Sequence, residues 1–197
     1  FNTWLSYIHK NDLTVSGALT DVKGVRSKRP TEQSSPDLFL RVVKKKDDGI
    51  VVRGAKIFQS GDAVVHEHLV VPTQAVKAGE EQYAVVFAVP SDAEGVIHVH
   101  QFAPGDAMRL IGGEIDFGNI KFGPYSAQII FFVIVFVPWE RVFLCGEAQF
   151  TADFCERFGR IHRCVSCACT SGWIDLFTGV AASCAEYNGV STKYHIK

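Results

Sequence analysis

The chain has 197 residues, with 20 Lys plus Arg against 21 Asp plus Glu, so its formal charge of -1 gives no broad electrostatic reason to bind nucleic acid. Apolar residues at 47% and charged residues at 21% exclude disordered and collagen-like classes. The length fits one folded body or two small ones, with ample chain for a core.

The first residues, Phe1 to His9, read as the tail of a helix already under way, and with Phe rather than Met in front the chain reads as a fragment. No basic stretch followed by an apolar segment opens it, so a secretory signal is not expected. From Asn11 to Gly24 runs a polar segment of hydroxyls and small residues, either an entry loop or a cradle for a cofactor or acyl carrier. Leu38 to Val43 and Ile50 to Lys56 then flank Lys44 to Gly49, where Asp48-Gly49 supplies a hairpin turn and Lys44 to Lys46 a solvated tip. Val64 to Val71, Tyr83 to Val89, Val96 to Phe102 and Ile129 to Val137 are further strands. Pro72, Pro90-Ser-Asp, Pro104-Gly-Asp and Gly112-Gly113 mark the loops. Antiparallel strands at this spacing suggest a barrel or a sandwich. The run Ile129 to Val137 is the longest uninterrupted apolar one, far below the roughly 20 residues of a membrane span, so no membrane partner is expected.

After Pro138 the period changes. Phe154, Phe158, Ile161, Val165, Cys169, Trp173, Phe177, Val180 and Cys184 recur every three or four residues, the stripe of a long helix starting near Thr151 and stopping at Asn188-Gly189. One such helix buries its stripe poorly alone and needs others. All six cysteines, at 145, 155, 164, 167, 169 and 184, lie in the last third, which fits reduced thiols in a cytoplasmic protein better than a disulfide framework.

Cys164-x-x-Cys167-x-Cys169 is open to three readings: metal, redox chemistry, or small buried side chains. His162 and Cys169, seven residues apart, fall about 20° out of phase on one helix face and roughly 10 Å apart along the axis. A single zinc ion reaches both only with difficulty; a larger iron-sulfur cube or a local break in the helix relieves the problem. Read alone, His162 is equally an ordinary helix histidine. Lys56 to Gly61 ends a strand with an amide and a hydroxyl, and no dinucleotide-type glycine motif is present.

Four motifs in order carry a resemblance: Asn11 to Gly24; Arg53-Gly-Ala-Lys-Ile-Phe-Gln-Ser-Gly61, against R-G-A-K-x-H-Q-T-G; Val135-Phe-Val-Pro-Trp-Glu-Arg-Val-Phe143; and Ala185-Glu-Tyr-Asn-Gly189. Together they resemble the 4-hydroxyphenylacetate 3-hydroxylase and 4-hydroxybutyryl-CoA dehydratase family over essentially the whole chain, and its dehydratase branch more closely. The resemblance implies an α+β, acyl-CoA dehydrogenase-like fold. Residues 1–10 would end an N-terminal helical domain otherwise missing, 11–140 would form a middle β-barrel domain, and 141–197 would begin a C-terminal helical bundle with its first long helix. It also implies a homotetramer with FAD between domains and a [4Fe-4S] cluster on three cysteines and a histidine. His162 and Cys169 match two of those ligands, and the other two cysteines belong to the region before Phe1. The implied reaction is radical dehydration of 4-hydroxybutyryl-CoA to crotonyl-CoA, with isomerisation of vinylacetyl-CoA. In it His162 serves as ligand and catalytic base, and Thr20, Lys23, Gln59, Ser60, Glu186 and Asn188 line FAD.

The chain departs from that pattern at several positions. Where the branch has H-R-x-S-Y-G-G-C-K, Ser166 and Thr170 replace a tyrosine and a lysine. Phe58 replaces a histidine, Val133-Ile134 replaces an acidic pair, and Ala127 stands where an active-site glutamate is expected. These changes predict a diverged or impaired member. The flavin-dependent 4-hydroxyphenylacetate 3-monooxygenase oxygenase branch, without a cluster, and a noncatalytic degenerate fragment are the alternatives.

Overall fold

Two long strands set the architecture because their apolar residues alternate, sending every second side chain to one face. In the computed structural model, which describes residues 1–100 and 127–192, they are β3 (Gly49–Ser60) and β7 (Ala127–Pro138), paired antiparallel. On β7 Ile130, Phe132, Val135 and Val137 are buried, whereas Phe131, Val133, Ile134 and Phe136 are exposed. The phase slips between Phe132 and Val135 because Val133 and Ile134 bulge opposite Arg53, with Ile134 at φ 58. β2 (Arg41–Lys45) and β6 (Val96–His100) complete this sheet in the order β2-β3-β7-β6. The expected strand Val96 to Phe102 runs at its end beyond the described residues, as do the loops at Pro104-Gly-Asp and Gly112-Gly113.

A second sheet has the order β1-β4-β5-β8, from β1 (Val15–Ala18), β4 (Glu67–Val70), β5 (Val85–Pro90) and β8 (Val142–Cys145). β1 lies parallel to β4, and the other pairs are antiparallel. Ala18, Val70, Val85, Phe87 and Val89 from this sheet share one core with Val42, Ile50, Val52, Ile130, Phe132, Val135 and Val137 from the other. The expected closed barrel is therefore corrected to two open four-stranded sheets packed face to face. Alternating strands satisfy either arrangement, and only pairing between edge strands decides closure; among the described residues the sheets end on β1, β8, β2 and β6.

Helix α1 (Asn2–Lys10) places Trp4 and Ile8 against Ala88, with Leu13, Val15, Leu69 and Phe143 around them. The Trp4 indole donates to Glu67 Oε2 at 3.1 Å, and Arg141 pairs with the same buried carboxylate at 2.6 Å. Helix α2 (Thr151–Tyr187) starts at the residue expected from the sequence and runs unbroken. The chain divides into two compact units, Phe1–Ala152 and a second beginning at Asp153. By length and composition alone the helix containing α2 is long and apolar enough to cross a membrane, with a mean hydropathy of 1.2 in its most apolar window. Arg163, Asp175 and Glu186 interrupt it, so no uncharged stretch within it approaches the roughly 20 residues of a span.

The chain leaving β1 is tied to β3 by a buried ion pair between Lys56 Nζ and Asp21 Oδ1 at 2.8 Å, both side chains nearly inaccessible. The ammonium has three protons, and it also donates to the carbonyls of Leu19 at 2.9 Å and Val71 at 2.8 Å. Asp21 in turn accepts from the Leu40 amide at 3.0 Å, and its own amide donates to Thr73 Oγ1 at 2.8 Å. Breaking such a pair from one side leaves an uncompensated charge. Lys56→Met should cost about 3–5 kcal/mol in urea denaturation, while Lys44→Met, exposed on β2, should stay within about 0.5 kcal/mol.

A second tie joins Arg29 to Glu80, Arg29 Nε donating to Oε1 at 3.0 Å and Nη2 to Oε2. The Arg29 hydrogen bond holds the Glu80 carboxyl below its usual range against the opposing effect of burial, with help from the Lys77 amide. A depressed carboxyl contributes stability that is present above its unfolded value of about 4.3 and is lost as pH falls through the lower folded value. Denaturation curves of Arg29→Ala and the parent chain should therefore differ most above pH ~5 and converge in more acidic solution.

Candidate functional site

The first cluster of expected site residues surrounds the C-terminal end of β3. Beyond Lys56 the strand leaves its partner: Ile57 and Phe58 together oppose a single residue of β7, Phe58 adopts φ 62, and the Ile57 amide donates to the Thr20 carbonyl at 2.8 Å. This bulge re-aims the residues that follow. Gln59 is buried opposite Gln128, and exposed Ser60 pairs with Ala127. Thr20 is thus held beside the strand end that carries Gln59 and Ser60. Lys23 follows on the same loop, half-buried and left-handed at φ 71, next to Gly24 at φ 53.

Gly24 is required there on two grounds. A Cβ would lie 2.6 Å from Gln33 Oε1 and 2.7 Å from Leu38 Cδ1, and the backbone is left-handed. Gln33 has little freedom to retreat, since Oε1 accepts from the Val25 amide at 3.0 Å while Nε2 donates to the Val25 and Lys28 carbonyls at 2.9 and 3.0 Å.

The second cluster belongs to α2. His162 and Cys169 are both exposed and sit on continuous α-helix, so the local break that would shorten their separation along the axis is not present. Ser166, one turn on, places Oγ 3.3 Å from His162 Nδ1, and Phe158, one turn back, stacks on the imidazole with ring centres 5.7 Å apart. These neighbours fix the ring and engage Nδ1, which leaves Nε2 as the outward donor atom. Cys169 is a free thiol. At the other end the helix closes with the paired bonds of a left-handed cap: the Gly189 amide donates to the Glu186 carbonyl and the Val190 amide to that of Ala185, both at 2.9 Å, with Gly189 at φ 66. Asn188 donates its side-chain amide to the Cys184 carbonyl at 2.7 Å, and Glu186 is exposed beside it.

Thr20, Lys23, Gln59 and Ser60 thus share the unit Phe1–Ala152, whereas His162, Cys169, Glu186 and Asn188 share the helical one. Two features escaped the sequence reading. Gln128 is buried with its Oε1 lacking a hydrogen-bond partner among the described residues. Asp62, His68 and His98 form a cluster around the 3-10 turn Asp62–Val64, β4 and β6. Burial pushes the His68 imidazole below its usual value and His98 adds to this, while the Asp62 charge opposes it. The signal available was a carboxylate six residues before a histidine on an apolar strand; the third member, on another strand, had no local signature.

The family model described as 4-hydroxyphenylacetate 3-hydroxylase N terminal matches residues 1–144. The chain is 44% identical over its whole length to a 4-hydroxybutyryl-CoA dehydratase/vinylacetyl-CoA-Delta-isomerase from Clostridium aminobutyricum, covering 40% of that protein. It is 31% identical over 97% of its length to the oxygenase component of 4-hydroxyphenylacetate 3-monooxygenase from Thermus thermophilus, covering 39% of it. The chain therefore spans about two fifths of the curated relatives it matches. Among solved structures, an oxygen-tolerant archaeal 4-hydroxybutyryl-CoA dehydratase from N. maritimus superposes with a TM-score of 0.90 at 38% identity, over 98% of this chain and 38% of that one. An oxygenase component of 4-hydroxyphenylacetate 3-monooxygenase complexed with FAD gives 0.81 at 30% identity, over 99% of this chain and 40% of that one. A steroid acyl-CoA dehydrogenase at 18% identity and a TM-score of 0.62, covering 98% of this chain and 43% of that one, extends the likeness at the level of fold alone.

Replacing Gly24 with Ala should dislodge Gln33 and strain the loop by about 1–2 kcal/mol. A thermal melt should show this as a loss of several degrees, and an unchanged melting temperature would contradict the crowding described for this turn.

Proposed function

Because the chain belongs to the 4-hydroxyphenylacetate 3-hydroxylase family, we propose that it forms part of a flavin enzyme of the 4-hydroxybutyryl-CoA dehydratase kind, acting on a CoA thioester with FAD and a [4Fe-4S] cluster, as a cytoplasmic homotetramer. The observation that carries this reading is the pair His162 and Cys169 on one continuous helix, with the imidazole fixed by Ser166 and Phe158. A monooxygenase gains nothing from a thiolate at that position. The greater identity to a dehydratase, 44% against 31% for an oxygenase component, points the same way.

The residues present fit both groups as far as they extend. His162 Nε2 and the Cys169 thiolate are donors suited to iron, and a cube spans their separation along the helix better than a single ion does. They supply two ligands; the other two are cysteines elsewhere in the whole protein. For the flavin, Gln128 Oε1 offers a buried acceptor with no partner among the described residues, next to Gln59 on the paired strand. Thr20 and Ser60 supply hydroxyl groups near the same strand end, and Lys23 an ammonium further along the loop. When bound, FAD supplies one-electron redox chemistry and the cluster a Lewis acid for a departing hydroxyl.

Within this reading the chain's own groups bind, orient and move a proton. The Ser166 contact at Nδ1 supports Nε2 as the outward nitrogen, which would accept a proton when not occupied by iron. Ser166 and Thr170 in place of tyrosine and lysine replace a phenol and an ammonium with short hydroxyls on the same helix face, and Phe58 puts an exposed ring where the strand motif has a histidine. These losses predict slower turnover than in relatives that keep those groups, with fold and cofactor binding retained.

The test uses the intact protein: iron and acid-labile sulfide analysis, a visible flavin spectrum, and dehydration of 4-hydroxybutyryl-CoA. Cluster with flavin supports the dehydratase, flavin without iron and with oxygen-dependent aromatic hydroxylation supports the oxygenase reading, and neither group supports a noncatalytic remnant. Cys169→Ser should remove most of the iron, lower dehydration by more than about 100-fold and leave FAD bound. Unchanged iron stoichiometry would sink the assignment of Cys169.

A further inference from the structure

His68 on β4 is completely buried, yet neither of its ring nitrogens has a hydrogen-bond partner among the described residues. Native interiors rarely leave an imidazole in that state, and an ion is one of the few explanations. Its Nδ1 lies 3.1 Å from Asp62 Oδ1, close enough for attraction but misaligned for a hydrogen bond, so that oxygen is unpartnered as well. The other carboxylate oxygen of Asp62 is 2.6 Å from His98 Nδ1. His98 Nε2 lies 2.9 Å from the Ser91 carbonyl and 3.3 Å from Ser91 Oγ, so the ring is held on its far side while Nδ1 faces the carboxylate.

The contact between His98 and Asp62 leaves His68 Nδ1 and Asp62 Oδ1 unanswered among the described residues. A divalent cation among the three side chains answers the Asp62 carboxylate, His68 Nδ1 and His98 Nδ1 together. Each residue offers one ligand atom, and these atoms lie within 4.8 Å of one another. Bonds of about 2.0–2.2 Å to nitrogen and oxygen place neighbouring ligand atoms roughly 3.0–3.4 Å apart, a modest adjustment of the observed cluster. The His98 bond to a backbone carbonyl is the outer support that metal-bound histidines ordinarily have.

We propose that Asp62, His68 and His98 form a binding site for a divalent transition-metal ion, separate from the His162 and Cys169 pair and located in the other compact unit. Two imidazoles and one carboxylate suit zinc or ferrous iron rather than magnesium or calcium, which prefer all-oxygen ligation. The ion would clamp the turn after β3 to β4 and β6. With three protein ligands it keeps a further position, on the side of His98, which is the one member of the three that reaches solvent, its side chain 20% exposed. That side opens onto a cleft also lined by His66, Glu67, Ser91 and Arg141.

Zinc is the probe. The intact protein, dialysed against zinc chloride and then against metal-free buffer, should retain one zinc per chain, and zinc should raise its melting temperature. X-ray absorption of the loaded protein should show nitrogen and oxygen neighbours at about 2.0–2.2 Å, with imidazole scattering and no sulfur near 2.3 Å. Asp62→Asn and His98→Gln, each with the parent circular dichroism, should weaken zinc binding at least about tenfold, whereas the double variant Cys164→Ser, Cys167→Ser should bind as the parent does. Substoichiometric zinc, a sulfur shell, or zinc that survives Asp62→Asn and His98→Gln but departs with the two thiols would overturn the proposal. If both site variants fail to fold, the absorption spectrum of the parent decides by itself.

Discussion

Charge buried without water is tolerated only when every proton and lone pair is matched, and in this protein that condition is met at Lys56. Its ammonium bonds the Asp21 carboxylate and the carbonyls of Leu19 and Val71, drawing together the chain that leaves β1, the middle of β3 and the end of β4. The loop from Leu19 to Gly24 has no strand of its own to hold it in register. The ion pair, the single bridge between Asp21 and Lys56, and the bond from Ile57 to Thr20 take that role. The lysine that resembled part of a ligand-binding strand is therefore the fastener behind it. The polar side chains of Gln59 and Ser60 lie further along β3, past the bulge at Phe58.

That bulge links local strain to position. A non-glycine residue at positive φ within a strand costs energy and persists only where the surroundings impose it. Here Phe58 occupies such a conformation with its ring exposed, and the extra residue rotates Gln59 inward and Ser60 outward. A related slip at Val133 and Ile134 keeps both halves of β7 facing the core despite a break in their alternation. Both irregularities fall at positions where the resemblance leads one to expect polar residues, a histidine at Phe58 and an acidic pair at Val133-Ile134.

The helical unit follows a different logic. Its apolar stripe, including Phe158, Ile161, Val165, Trp173, Phe177 and Val180, is exposed along most of its length, the surface that a bundle helix presents to its neighbours. The chain spans about two fifths of its relatives, and the function proposed for the whole protein draws on cysteines and helices beyond these residues. His162 and Cys169 are the donors that this chain contributes to the dehydratase reading. The Asp62, His68 and His98 cluster is complete within one unit and stands independently of that reading.

Periodicity with turn and cap residues was enough for the helix from Thr151 and its stop at Asn188-Gly189 and for six of the strands, two of them in the hairpin around Asp48-Gly49, because each depends on residues near one another in sequence. β1 and β8 were illegible: each has four residues, too few for alternation to register, and β1 looked like a polar loop because Ser16 and Gly17 lie within it. Closure into a barrel or opening into two sheets was likewise beyond the sequence, since both use the same alternation and differ only in which edges pair. Of the candidate site, the helical period put His162 and Cys169 on one face, while Thr20, Lys23, Gln59, Ser60, Glu186 and Asn188 were expected from the family resemblance and not from any local pattern. The buried roles of Lys56 and Gln128, and the meeting of Asp62 with His68 and His98 across three separate elements, were decided by the tertiary structure, because burial and long-range proximity come from packing and leave no local pattern in the chain.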